Sequence, residues 1–154
     1  MLKVMDKVPD FTLLDQNNKK HKLSNYQGQW VLLYFYPKDN TPGCTKEACS
    51  MRDNYSDFKK IKAVVLGVSA DSVVSHKKFE TDHGLPFPLL SDSERKVLEK
   101  YGVWQLKINF GKKYYGIKRM SFLINPQGKI AKIYKTVKPV EHATQVLNDM
   151  KNFS

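Results

Sequence analysis

An α/β domain built on a mixed β-sheet is the fold this sequence predicts, and three observations predict it. Residues 31–36 (VLLYFY), 63–69 (AVVLGVS) and 121–125 (SFLIN) are apolar runs with the length and β-branched or aromatic content of covered strands. Segments carrying helix-start signals separate these runs, as in an α/β chain. Residues 129–135 then alternate, Ile130, Lys132 and Tyr134 against Ala131 and Ile133, after a turn at Pro126-Gln127-Gly128. A closing hairpin of this kind adds an antiparallel pair to the sheet.

The elements follow in order. Residues 11–14 and 21–23 flank the turn-like Asp15-Gln16-Asn17-Asn18, which predicts an N-terminal β-hairpin. Helices are expected over residues 42–60, 72–83, 93–101 and 140–151. Asp71-Ser72 and Asp92-Ser93 supply capping oxygens to the second and third. In the last, Val140, Ala143, Thr144, Leu147 and Met150 fall on one stripe. Residues 103–115 read as a loop. No repeat, low-complexity stretch or linker divides the 154 residues, so residues 1–154 are expected to form one domain.

Composition narrows the function classes. With 41% apolar and 27% charged residues, the chain is neither disordered nor a disulfide-dense scaffold. Its first residues, Met1 to Pro9, lack the apolar core of a signal peptide. No stretch approaches the ~20 apolar residues of a membrane helix, so a soluble, cytoplasmic protein is expected. A net charge of +11 requires nucleic acid to be weighed as a partner. The lysine pairs, such as Lys19-Lys20 and Lys112-Lys113, are scattered, and no basic run or nucleic-acid motif accompanies them. A solvated basic surface accounts for the charge; the same surface can steer anions or an acidic redox partner. Neither nucleic acid nor membrane is expected to bind.

The informative stretch runs from Tyr36 to Cys49 (YPKDNTPGCTKEAC). It leaves a buried strand and opens a helix. Pro42 suits the first helical turn, where a missing N–H costs nothing. Cys44 then lies in that turn, facing free backbone N–H groups and the positive end of the helix dipole, which favour thiolate over thiol. A thiolate is the nucleophilic form of cysteine. Thr41 can turn its hydroxyl toward the same place, and Pro37 and Pro42 stiffen the loop between them.

Cys49 stands five residues on. Five residues of α-helix rotate by about 500° and rise about 7.5 Å, a Cα separation of roughly 8–9 Å. That exceeds the ~7 Å limit for bridging without backbone movement, so a disulfide here requires the helix to unwind locally. Other readings stay open. A cysteine is often a small buried hydrophobe, and Cys-x4-Cys could supply two zinc ligands. However, His21, His76, His83 and His142 form no matching His pair.

These residues resemble the peroxiredoxins, whose signature Pro-x-x-x-Thr-x-x-Cys is met by Pro37, Thr41 and Cys44. The continuation Thr-Pro-Gly-Cys-Thr-x-Glu-Ala-Cys is similar to the peroxiredoxin Q branch, also called bacterioferritin comigratory protein. Residues 116–124 (GIKRMSFLI) look like that branch's arginine-bearing strand, and the likeness extends from Val8-Pro9-Asp10-Phe11 to His142. Two positions depart from the pattern: Ser121 where Thr is frequent, and Tyr134 where Trp is common.

The resemblance implies a thioredoxin-like fold, Cys44 as peroxidatic cysteine, Cys49 as resolving cysteine, and Arg119 beside Cys44 with Glu47 orienting it. It further implies reduction of hydrogen peroxide and organic hydroperoxides by a monomer. The Cys44 sulfenic acid would condense with Cys49 to a disulfide, and a thioredoxin-type dithiol would reverse it. No metal, flavin or nucleotide is required. The rival of the same fold is a thiol–disulfide oxidoreductase, although those enzymes usually carry Cys-x-x-Cys.

Overall fold

The computed structural model describes residues 1–153. Its strands are β1 (Thr12–Leu14), β2 (Lys20–Lys22), β3 (Val31–Phe35), β4 (Val64–Ser69), β5 (Leu89–Ser91), β6 (Trp104–Asn109), β7 (Lys112–Ile117), β8 (Met120–Ile124) and β9 (Ile130–Tyr134). The helices are α1 (Pro42–Asp53), α2 (Tyr55–Lys60), α3 (Val73–His83), α4 (Lys96–Lys100) and α5 (His142–Phe153). Seven strands make one sheet in the order β2-β1-β5-β4-β3-β8-β9, and β6 and β7 make a separate ribbon. β3, β4 and β5 run parallel, whereas β8 and β9 add antiparallel partners on one side and β1 does so on the other. The mixed sheet and the N-terminal hairpin are as the sequence predicts.

Both faces of the sheet are covered, which explains the unbroken apolar strands. Along β3, Leu32 and Tyr34 point into a core shared with α1, α2, α3 and α5, through Ala48, Met51, Phe58, Phe79, Val146 and Met150. Val31, Leu33 and Phe35 point the other way, against Leu66, Leu98, Tyr101 and Phe122. Every residue of β3 and β8 is buried. The period-2 alternation survives as a choice between two cores rather than between core and water.

Several boundaries differ from expectation. The helix expected over 42–60 breaks at Asn54, whose φ of −105° and ψ of 5° leave the helical region. Its side chain there donates to the Ser50 carbonyl at 2.8 Å, offering the backbone an alternative to continuing. The third helix shrinks to α4 because Arg95 is left-handed, with φ of 63°. Its N-cap is Arg95 with no side-chain cap, not Asp92-Ser93; Asp92 instead accepts from the Leu98 N–H inside the helix at 2.8 Å. Ser72 caps α3 as anticipated, accepting from Ser75 N–H at 3.1 Å. In α5 the buried stripe is His142, Ala143, Val146 and Met150, while Val140 precedes the helix and is exposed along with Thr144.

Residues 103–115 are not a loop. β6 and β7 form a hairpin closed by Phe110 and Gly111, both at positive φ (51° and 77°), the conformation of a two-residue primed turn. β5 is a further strand that the sequence does not signal, because three residues carry no period. Arg119 lies in the short connection between β7 and β8 rather than on a strand.

Candidate active site

The site lies where the chain leaves β3 and enters α1, at the carboxyl end of the parallel strands. Tyr36 N–H still pairs with the Val68 carbonyl at 3.1 Å, and Pro37, without an N–H, follows it. Asn40 takes a left-handed φ of 59°, which Asn tolerates better than most residues. Thr41 is then the N-cap of α1, Pro42 its first residue and Cys44 its third. Thr45 N–H closes the first helical bond onto the Thr41 carbonyl at 2.8 Å. The Thr41 hydroxyl donates to the Lys38 carbonyl at 2.8 Å, so what it offers the site is an oxygen lone pair.

The face of α1 turned to the sheet carries Cys44, Glu47, Ala48 and Met51, all buried, at spacing i, i+3, i+4, i+7. Glu47 is therefore not a helix-surface charge; its side chain has no exposed area. Arg119 reaches it across the β7–β8 connection. Its Nη1 donates to Glu47 Oε1 at 2.6 Å and its Nη2 donates to Cys44 Sγ at 3.3 Å. Gly43 makes this possible, because a Cβ there would stand 3.0 Å from Arg119 Nη2. The cysteine, carboxylate and guanidinium converge on one place through these two bonds.

Burial pushes the Glu47 carboxyl up to about 7, against the attraction and hydrogen bond of Arg119. Burial also opposes the Arg119 charge, yet Glu47 and Cys44 together hold that guanidinium above its ordinary value. Lys107 of β6 is a further cation nearby; burial and then Arg119 lower it, and Cys44 opposes the shift. Cys44 itself is 2% exposed. Cys49 is partly exposed on another face of α1, and both cysteines are free thiols on an intact helix.

A second polar group, missed in the sequence, anchors the loop before Cys44. Asp39 is buried and accepts from Tyr36 Oη at 2.7 Å on Oδ1 and from Ser75 Oγ at 2.8 Å on Oδ2. His76 Nδ1 lies 2.7 Å from Oδ2, and its Nε2 lies 3.0 Å from the Leu90 carbonyl. Both ring nitrogens thus face oxygen atoms of the core. Asp39 N–H in turn donates to Asp71 Oδ2 at 2.8 Å. Asp39, Asp71 and His76 bring ligand-type atoms within 4.8 Å of one another. Those atoms are committed to these hydrogen bonds and to Ser69 Oγ, so a metal would have to displace them. Asp39 and His76 lie 37 residues apart, a separation no local pattern reads.

Comparison with known proteins gives consistent findings. The AhpC/TSA family model matches residues 4–133. Peroxiredoxin Bcp of Bacillus subtilis is 46% identical over 153 residues, 99% of this chain and 98% of its own length. A crystallised cysteine-to-serine mutant of Xylella fastidiosa PrxQ superposes with a TM-score of 0.94 at 37% identity, over 99% of this chain and 98% of that one. The bacterioferritin comigratory protein of Xanthomonas campestris, studied for its alkyl peroxide reduction activity, superposes at 0.88 with 36% identity, over 93% and 91%. The fold is that of thioredoxin-like peroxiredoxin structures.

Proposed function

The chain belongs to the AhpC/TSA family, and we infer that within it Cys44 is the thiol that attacks peroxide. The protein is a thiol-dependent peroxidase of the Bcp/PrxQ type. One observation carries the assignment of Cys44: Arg119, anchored by Glu47, donates to its sulfur. A fixed guanidinium at that place stabilises the thiolate and then the charge that passes to the peroxide oxygens. Thr41, its hydroxyl proton committed to Lys38, accepts from the peroxide O–H and aligns the O–O bond. Pro37 ends the strand and fixes where the loop begins.

The first step forms an S–O bond and breaks the O–O bond. The sulfur of Cys44 is oxidised to sulfenic acid, and the departing hydroxide or alkoxide takes a proton and leaves as water or alcohol. The N-terminal part of α1 then unwinds locally, which brings Cys49 within bridging distance of Cys44. Cys49 condenses with the sulfenic acid, forming the disulfide and releasing water. A thioredoxin-type dithiol restores both thiols by exchange, itself becoming a disulfide. Hydrogen peroxide and organic hydroperoxides are the substrates, residues 1–154 act as one cytoplasmic, monomeric domain, and no nucleic acid or membrane takes part. Among the described residues no helix is long and apolar enough to cross a membrane.

Burial of Cys44 separates this reading from a thiol–disulfide oxidoreductase. A cysteine residue 2% exposed admits a small peroxide more readily than a protein disulfide. The test is peroxide consumption with thioredoxin, thioredoxin reductase and NADPH, alongside insulin reduction. Cys44→Ser is expected to abolish peroxide turnover, and wild type to leave insulin largely unreduced. Turnover by Cys44→Ser, or brisk insulin reduction, would remove the assignment.

A further inference from the structure

Two buried polar atoms near Cys44 have no hydrogen-bond partner among the described residues: Glu47 Oε2 and the Tyr34 hydroxyl. They are complementary, since a carboxylate oxygen accepts and a phenol donates. Burying either without a partner costs free energy, and natural cores seldom retain such atoms unexplained. Phenylalanine at position 34 would fill the same space without that cost.

The surroundings are built to hold the phenol. Tyr34 lies beside Gly67 in the register of β3 against β4. A Cβ on Gly67 would meet the Tyr34 ring and hydroxyl at 2.9–3.1 Å, so glycine in the middle of this buried strand makes room for the tyrosine. Tyr36 and Phe87 fix the ring, with centroids 5.6 Å and 6.0 Å away. Tyr34 shares a core with Cys44, Ala48 and Met51, the face of α1 that also carries Glu47. After burial, the Glu47 charge is the strongest influence keeping the phenol protonated, followed by Cys44 and Asp39, with Arg119 opposing.

We propose that Tyr34 is a positioning residue for the peroxidase site: its hydroxyl donates to Glu47 Oε2 across one bridging water molecule and keeps that carboxylate ionised under Arg119. Arg119 takes Oε1, Tyr34 takes Oε2, and the guanidinium is held charged and aimed at Cys44 Sγ. The groups around Glu47 are then Arg119 from the β7–β8 connection, Tyr34 from β3 and Cys44 on its own helix. Lys107 from β6 faces Arg119 and Cys44. The bond to Glu47 concerns its ionisation alone; only its effect on rate rests on the peroxidase reading.

Infrared titration of the reduced protein tests the bond directly. The protonated-carboxyl band that disappears in Glu47→Gln reports Glu47, and Tyr34→Phe is expected to move its midpoint to higher pH by about one unit. An unmoved midpoint overturns the proposal. In kinetics, Tyr34→Phe should slow the reaction with peroxide about tenfold near neutral pH and recover at higher pH, where Glu47 ionises unaided. In a Glu47→Gln background the same substitution should leave the pH profile unchanged; an equal loss in both backgrounds marks a packing defect and overturns the role. A measurement needing no change at Tyr34 is NMR of its hydroxyl proton. The resonance is expected to be slow to exchange and to move upfield in Glu47→Gln, and a resonance indifferent to Glu47 refutes the bond whatever Tyr34→Phe does to folding.

Discussion

Two buried carboxylates stand on either side of the turn that presents Cys44, and they are treated oppositely. Asp39 accepts through both oxygens, from Tyr36, Ser75 and His76, and its own N–H is bound by Asp71. Glu47 has one oxygen on Arg119 and the other unpartnered by any described residue. The first is a closed network that ties the loop to α3, so its role is to fix where the chain turns. The second is incomplete, sensitive to its surroundings, and in contact with the arginine that touches the sulfur. Fully satisfied networks rigidify, whereas partly satisfied ones are where protonation can be tuned.

The sharpest way to break this contrast is to open the closed network. Asp39→Ala leaves Tyr36 Oη, Ser75 Oγ and His76 Nδ1 without their shared acceptor and, at about 1–3 kcal/mol for each orphaned buried group, is expected to cost about 3–5 kcal/mol of stability, read as a lowered urea midpoint. If the midpoint hardly moves, Asp39 is not the anchor. Next in size, Arg119→Ala should lower the rate constant for peroxide by about 10²–10³. The fold should remain, since the guanidinium is partly exposed. Smaller again, Gly43→Ala crowds Arg119 Nη2 and is expected to slow the same step severalfold, with little change in thermal melting. Cys49→Ser should still consume about one equivalent of peroxide and then stall; sustained turnover with thioredoxin would deny it the resolving role.

The open carboxylate has a pH signature of opposite sign to an ordinary ion pair. Its folded value, about 7, lies above its value of 4.5 in an unfolded chain. Between these two values the folded protein retains a proton that the unfolded chain releases. Its contribution to stability therefore falls as pH rises through that window and levels off above about 7. Glu47→Gln should flatten this part of the profile, measured as urea midpoints at about pH 5 and about pH 8. An unchanged slope would place the titration elsewhere.

Much of this was legible in the chain, unevenly. The covered strands, the hairpins at both ends and the helix opening at Pro42 follow from composition and turn chemistry. The ribbon of β6 and β7 carries no such compositional signal, because most of its residues are exposed and its lysines and apolar residues follow no single period. The Phe110-Gly111 turn was its available signal. Glu47 had a signal too: it shares a helical stripe with Cys44, Ala48 and Met51, which marks it as inward-facing.

What the sequence determined by itself is local: a strand that must be covered on both sides, a proline and a glycine opening a helix, and a cysteine placed where the first turn's N–H groups are free. Backbone dihedrals, side-chain period and the helix dipole act over a few residues, so a few residues suffice to read them. Tertiary structure alone decided the partners, Arg119 at 75 residues from Cys44 and His76 at 37 from Asp39. It also brought Tyr34 across from Gly67 in the adjacent strand. Those meetings depend on the order and register of strands in the sheet, which is settled by the packing of the whole core and by no segment within it.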